Sequence, residues 1–275
     1  MLVNALDVVA GWPVGTAAVA VLDRSGIVDS VGPDDVALPW ASVTKPLTAL
    51  SVLVAVADGT VGLDDAVGPP GSTLRHLLAH ASGVSFADGT VLAQPGRRRI
   101  YSNYGIELAA RYVAERAGRP FDEHLAETVL GPLDMTGTDL DGTPAAGARG
   151  PLRDLAALGR ELLAPTLVPD LLAEATKVAF TGLSGILPGF GRQDPNDWGL
   201  GFEIRDGKRP HWTGQANSPD TFGHFGQSGT FLWVDPVAGL ACACLTDRAF
   251  GDWTATCWPD LSDRALAAYR AGAID

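Results

Sequence analysis

Apolar positions change their spacing twice along the chain, and the changes outline its organisation. Gly15 to Asp23 (GTAAVAVLD) is a run of small and β-branched residues, Arg24-Ser25-Gly26 interrupts it, and Ile27 to Val31 resumes it. Two such runs around a short turn predict a hairpin. From Ser42 to about Leu172 the pattern is helical, Ala/Leu-rich and punctuated by Gly-Pro clusters such as Val67-Gly68-Pro69-Pro70-Gly71. Within it, Ile106, Ala109, Ala110 and Val113 share a helix face closed by Gly118 and Pro120, so Asn103 falls near that helix's start, where a cap belongs. Strand character returns over Leu200 to Arg205, Gly229 to Val234 and Leu240 to Thr246, the last two joined by a turn at Asp235 to Gly239. Leu261, Leu266, Ala267 and Tyr269 give the tail, Asp260 to Ala271, the spacing of a helix. Sheet-forming ends around a helical middle predict a discontinuous arrangement: residues 1–45 and 176–275 form a sheet lobe, residues 46–175 a helical lobe, and an active site lies between them.

Composition narrows the function classes. The chain has 275 residues, enough for one large domain or two lobes, and a formal net charge of −12. That charge argues against nucleic acid or an anionic membrane surface as partner. No apolar run approaches the roughly 20 residues that cross a bilayer; Leu47 to Ala57 is short and contains Ser51. The start, MLVNALDVVAGWPVG, lacks the basic and long apolar segments of a secretion signal, and the three cysteines, Cys242, Cys244 and Cys257, are too few for a disulfide scaffold. A cytoplasmic protein is expected.

Chemistry enters at Ser42-Val43-Thr44-Lys45, within LPWASVTKPLTAL. Residues three apart share a helix face, so Lys45 is placed to take the serine's proton as the hydroxyl attacks an acyl carbon. The Ser42 N–H, at a helix start, is placed to stabilise an oxyanion. Two further segments, Tyr101-Ser102-Asn103 in RRRIYSNYG and His224-Phe225-Gly226 in FGHFGQSGTFLWVDP, follow at a distance.

In order and separation the three motifs resemble those of the serine β-lactamase and penicillin-binding superfamily, in its class C β-lactamase, D-Ala-D-Ala carboxypeptidase and esterase branch. LRHLLAHASGV, VLGPLDMTGT, WGLGFEI and GTFLWVDP agree with the same branch, so the resemblance runs from about Gly15 to about Asp247. It implies an α+β fold: an antiparallel sheet flanked by N- and C-terminal helices, with an inserted all-helical lobe. It also implies proton exchange with the nucleophile and leaving group at Tyr101, and a hold on the lysine and the substrate's acyl side chain at Asn103. The N–H of Gln227 is the expected second oxyanion donor, and Gly226 is expected to admit the substrate backbone. A tyrosine with a pKa near ~10 is a poor base at neutral pH, so either a cationic Lys45 lowers it or a neutral Lys45 acts itself. Both remain open at the level of sequence.

The third motif departs from the lactamase form. His224 stands where lysine is usual; it still donates a hydrogen bond or, when protonated, a charge. Phe225 stands where a hydroxyl residue helps bind a substrate carboxylate, and it cannot replace that contact. The expectation is therefore a Ser42 acyl-enzyme on a small ester or amide, with a small-molecule acyl substrate as its partner and no metal or organic cofactor. A true β-lactamase or D-Ala-D-Ala carboxypeptidase is the alternative within the class, and a penicillin-binding sensor or scaffold without turnover the alternative outside it.

Other features reduce to structure at this stage. His76 and His80 lack the intervening glutamate of a zinc-protease helix. Cys242 and Cys244 face one side of a strand as small core residues. Arg97-Arg98-Arg99 reads as solvated surface, with substrate-carboxylate binding as the second reading. Trp40 and Trp212 are candidate pocket walls or ordinary packing.

Overall fold

The computed structural model describes residues 5–269. Met1 to Asn4, and Arg270 and Ala271 at the expected end of the last helix, lie outside the described residues. In chain order the elements are β1 (Ala17–Asp23), β2 (Gly26–Val31), β3 (Leu38–Pro39), α1 (Thr44–Ala57), α2 (Leu74–Leu78), α3 (Asn103–Ala117), α4 (Phe121–Leu125), β4 (Asp139–Leu140), β5 (Ala148–Gly150), α5 (Leu152–Leu163) and α6 (Pro169–Ala175). They continue with β6 (Gly185–Leu187), β7 (Gly191–Gln193), β8 (Glu203–Ile204), β9 (Phe222–Gly226), β10 (Thr230–Asp235), β11 (Leu240–Thr246) and α7 (Thr254–Tyr269).

The expected hairpin forms, with Val19 opposite Val31 and a register shift at Val21/Leu22. It joins a six-stranded antiparallel sheet in the order β2-β1-β11-β10-β9-β8. Side chains alternate across the sheet. Ala18, Ala20, Leu22, Leu232, Val234, Ala241 and Ala243 enter one core; Val19, Val21, Phe231, Trp233, Cys242 and Cys244 enter another on the opposite face. Both faces are therefore covered, which is why β10 and β11 read as continuous apolar runs rather than alternating ones. A 3₁₀ turn over Ala5–Gly11 and α7 cover the second face.

Helix α5, expected in the helical lobe, lies on the first face of the sheet against β1, β10 and β11. Gly159 permits this approach, since a Cβ there would stand 3.0 Å from Leu232 Cδ1. Leu47, Leu50 and Leu53 of α1 and Ile106 of α3 belong to the same core as these sheet residues. The expected boundaries at 45/46 and 175/176 thus run through a core that both parts share.

Three local expectations are corrected. Leu200 to Arg205 holds only the two-residue β8, because the chain turns at Gly201, φ 89°, where a Cβ would stand 2.2 Å from Ala49 Cβ. Asn103 is the first residue of α3 rather than its cap: Ser102 takes that place, its Oγ accepting from the Gly105 N–H at 2.9 Å. Arg99, read as surface, is 2% exposed.

Its guanidinium donates to the carbonyls of Ala79 (2.6 Å), Ala179 (2.7 Å), Phe180 (3.1 Å) and Asn196 (3.0 Å), and burial lowers its pKa to about 10 despite Asp197. Arg99 thereby ties the end of α2 to the segment that runs into β8. Arg99→Met is expected to leave four carbonyls without their donor and to lower unfolding stability by about 3 kcal/mol or more. Urea midpoints report this; an unchanged midpoint would show that the clamp is dispensable.

Candidate active site

Ser42 sits in a 3₁₀ turn, Ala41–Val43, that feeds directly into α1. The residue before it, Ala41, has φ 46°, a left-handed conformation that disfavours a side chain. Hydrogen bonds on either side hold the turn in place. Thr44 Oγ1 donates to Ala41 O at 2.6 Å and accepts from the Ala148 N–H, the Trp40 N–H donates to Ala148 O at 2.9 Å, and Thr230 Oγ1 donates to Trp40 O at 2.9 Å. Gly226 closes the arrangement. A Cβ there would stand 2.4 Å from Trp40 O and 3.1 Å from Ala41 Cβ, so the turn bearing Ser42 itself requires glycine at this position.

Lys45, in the first turn of α1, is fully buried. Its Nζ donates to Ser42 Oγ at 3.0 Å and to Ala145 O at 2.9 Å, and it lies 4.7 Å from the centre of the Tyr101 ring. Burial lowers the ammonium's pKa to about 7, with Glu107 pulling the other way. Tyr101 donates its O–H to Ser42 Oγ at 2.8 Å. Burial pushes the phenol well above its ordinary 10.0, and the bond to Ser42 offsets only part of the rise. Of the two routes left open by the sequence, the electrostatics favour a neutral Lys45: the lysine sheds its proton near pH 7, while the tyrosine keeps its own.

Asn103 borders the same cavity but takes no part in this set. Its Oδ1 is buried without a hydrogen-bond partner, and the second acceptor on Lys45 is the Ala145 carbonyl instead.

His224 and Phe225 alternate on β9. Phe225 belongs to the core beneath the sheet, its ring 5.1 Å from Phe250, 5.6 Å from Phe190 and 5.8 Å from Trp212, and it also lines the cavity. His224 faces Tyr101 and Trp198, at 5.8 and 5.5 Å between ring centres. Its Nδ1 lies 2.6 Å from Phe225 O, a carbonyl that only accepts, so Nδ1 carries the hydrogen. Burial first, and Lys45 second, lower its pKa to about 3. His224 is therefore a neutral ring, and the expectation that it offers a donor or a positive charge is corrected. Gln227 lies on the cavity rim beyond it.

Trp212, expected as a pocket wall, lies behind Phe225 instead, 1% exposed, with Nε1 donating to Glu203 Oε2 at 3.0 Å. Glu203 lines the cavity, and its carboxylate also accepts from Lys208 at 2.5 Å and His211 at 2.9 Å. Burial alone would raise its pKa, but Lys208 first and His211 second hold it well below its ordinary 4.5. Glu203, Trp198 and His80 were given no role from sequence. They lie in stretches that carried the resemblance, WGLGFEI and LRHLLAHASGV, and that was the available signal. His80, at φ 54°, accepts the Ser102 N–H on Nδ1 and sets its ring 4.8 Å from that of Tyr101.

The cavity in front of Ser42 measures about 610 Å³, with Phe86, Leu92, Ile100, Ile186 and Trp198 among its walls. Phe86, Leu92 and Ile186 are 52%, 56% and 63% exposed, which gives the mouth an apolar lip. Arg98 is the exposed cation at that mouth. Among the described residues, no group of three or more His, Cys, Asp or Glu side chains is arranged to hold a metal ion, and no helix is long and apolar enough to cross a membrane.

Residues 3–262 match the family described as Beta-lactamase. The crystal structure of a beta-lactamase from Mycobacterium bovis is 52% identical, covers 97% of this chain and 99% of its own, and superimposes with a TM-score of 0.96. A mutant simvastatin synthase from Aspergillus terreus gives a TM-score of 0.79 at 16% identity, over 98% of this chain and 94% of its own. A hydrolase with promiscuous acyltransferase activity gives 0.78 at 15% identity over 96% of each chain. At these lower identities the likeness concerns the fold alone. Comparison with curated proteins gave no match.

The depressed Lys45 pKa has a thermodynamic signature independent of any substrate. Between pH 7 and 10.5 the unfolded chain holds the lysine proton and the folded one does not, so this group makes stability rise with pH across that window. Lys45→Met removes the dependence. The wild-type stability relative to Lys45→Met is expected to improve by up to about 2.7 kcal/mol from pH 7.5 to 9.5. Denaturant titrations at the two pH values measure it, and a constant difference would mean that Lys45 titrates as an ordinary lysine.

Proposed function

The chain belongs to the beta-lactamase family, and on that premise we propose that this serine hydrolase works through a Ser42 acyl-enzyme on small, uncharged acyl esters, with amides as the secondary class. The observation that carries the reading is Ser42 Oγ held between Lys45 Nζ (3.0 Å) and the Tyr101 hydroxyl (2.8 Å) at the floor of an apolar cavity.

Neutral Lys45 takes the Ser42 proton as Oγ bonds to the acyl carbon. The amides of Ser42 and Gln227 receive the oxyanion. Tyr101 passes its proton to the departing alkoxide and regains from Lys45 the one that Ser42 gave up, so the leaving group departs as an alcohol and Ser42 keeps the acyl group. Water entering the same position reverses the proton path and releases the acid. Ala145 O holds the Lys45 amine in the direction of Ser42, which is the positioning that Asn103 was expected to supply.

The walls favour an ester over a lactam. A lactam carboxylate needs a cation or hydroxyl on the β9 strand, and there it meets a neutral His224 and the Phe225 ring. A true β-lactamase remains the second reading, favoured by the Mycobacterium bovis relative, with Arg98 at the mouth as the alternative carboxylate anchor. A sensor without turnover is disfavoured because Ser42, Lys45 and Tyr101 are all present and hydrogen-bonded. Three free cysteines, two of them buried, support a cytoplasmic setting.

Fluorophosphonate labelling followed by peptide mass spectrometry is expected to place one adduct on Ser42, absent in Ser42→Ala, with turnover reduced on the order of 10⁴-fold or more. Labelling undiminished in Ser42→Ala would sink the assignment. With nitrophenyl butyrate, kcat/KM is expected to rise with pH through an acid limb near 7, as Lys45 loses its proton. A rise only above about pH 10 would transfer the base role to a tyrosinate. The ester is expected to exceed a chromogenic cephalosporin in kcat/KM; the reverse order would favour the lactamase reading.

A further inference from the structure

His224 carries a polar atom that neither the fold nor the acylation chemistry uses. Its Nδ1–H is spent on Phe225 O, and its Nε2 is buried without any hydrogen-bond partner although the residue lines the cavity. A neutral ring with hydrogen on Nδ1 has a lone pair on Nε2, so the free atom is an acceptor. No surrounding donor is bonded to it: the His80 Nε2–H, left over once Nδ1 accepts the Ser102 N–H, is itself unpaired, and the others are directed elsewhere. The Tyr101 O–H is directed to Ser42, the Lys45 amine to Ser42 and Ala145, and Trp198 Nε1 to Asn196 Oδ1 at 3.3 Å. Glu203, the remaining charged neighbour, offers only acceptors. The Tyr101 and Trp198 rings flank the imidazole and fix its plane, so the lone pair has a defined direction.

We propose that Nε2 of His224 is a hydrogen-bond-acceptor subsite in the Ser42 cavity, which selects acyl substrates bearing a neutral hydroxyl or amide N–H beside the scissile bond and disfavours a carboxylate at that place. The proposal deepens the reading of Ser42 as nucleophile and rests on it for the identity of the bond cleaved. A substrate donor pairs an atom that is otherwise buried and unpaired, which a plain alkyl ester leaves unsatisfied. A carboxylate presents lone pairs to a lone pair, beside the Glu203 carboxylate. The subsite thus has the opposite polarity to a lysine or imidazolium at the same position.

The test has two arms. In protein labelled with ¹⁵N-histidine, with the His224 signals assigned by their loss in His224→Gln, the ring is expected to be neutral at pH 7 with hydrogen on Nδ1. Adding ethylene glycol or N-methylacetamide is expected to shift Nε2. Protonation at Nε2 or an imidazolium would overturn the proposal, whatever the enzyme hydrolyses. In the second arm, kcat/KM is measured for ethyl butyrate, 2-hydroxyethyl butyrate, ethyl 3-hydroxybutyrate and monoethyl succinate. At least one hydroxy-ester is expected to exceed ethyl butyrate by about 3- to 10-fold in the wild type, the range of one neutral hydrogen bond. The preference is expected to vanish in His224→Leu, and His224→Lys is expected to favour the succinate monoester. A hydroxy preference retained in His224→Leu, or none in an active wild type, would overturn it. If Ser42 proves not to be the nucleophile and no ester turns over, the labelled ring still decides whether the acceptor exists.

Discussion

Burying Lys45 completely removes the hydration of an ammonium group, and the fold recovers that cost only in part through two hydrogen bonds. The result is a lysine whose pKa falls to about 7, with its Nζ 3.0 Å from Ser42 Oγ. Trp40 and Val43 close it from the turn, Tyr101 covers the amine with its ring, and the Ala145 carbonyl supplies the acceptor that a neutral amine requires. Near neutral pH this burial costs stability, and it leaves part of the amine unprotonated there.

The same burial depends on a close meeting of two elements. The turn bearing Ser42 lies against the end of β9, and the fit leaves no room for a side chain at position 226. Ala41 accepts a left-handed backbone at that point, a local strain of order 1 kcal/mol that the Thr44, Ala148 and Thr230 hydrogen bonds hold in place. Ser42 therefore comes from the 3₁₀ turn before α1, Lys45 from α1 and Tyr101 from the segment before α3, while β8 and β9 supply the opposite wall.

Polarity is divided across β9. Beneath the sheet, Phe225 joins Trp212, Phe231 and Trp258 in a core of aromatic rings. Glu203, opposite Gly223 on β9, lies on that same side, where Lys208 and His211 pair with its carboxylate, and on the other side His224 is neutral. The cavity thus has a neutral imidazole near Ser42, a paired carboxylate beyond it and apolar walls at its mouth. In the proposed reaction, developing charge on an acyl oxygen is the largest electrostatic event, and low dielectric would strengthen the action of the proposed Ser42 and Gln227 amides on it.

Sequence alone determined whatever depends on spacing along one element. The Ser42–Lys45 pair follows from the helical repeat, the hairpin from two β-branched runs around Arg24-Ser25-Gly26, and the helix after Tyr101 from Ile106, Ala109, Ala110 and Val113. The resemblance of three motifs brought Tyr101 and His224 to the same cavity. Tertiary structure decided the properties that depend on what surrounds a side chain in space. Arg99 looked like surface in an Arg-Arg-Arg run and proved to be an interior clamp, because four carbonyls from distant segments converge on it. Asn103 ceded the lysine to a carbonyl 100 residues away, Trp212 lies behind Phe225, and His224 turned from donor to acceptor. Protonation, tautomer and burial are set by neighbours that a linear pattern does not name, since they are fixed only when strands and helices remove water from between them.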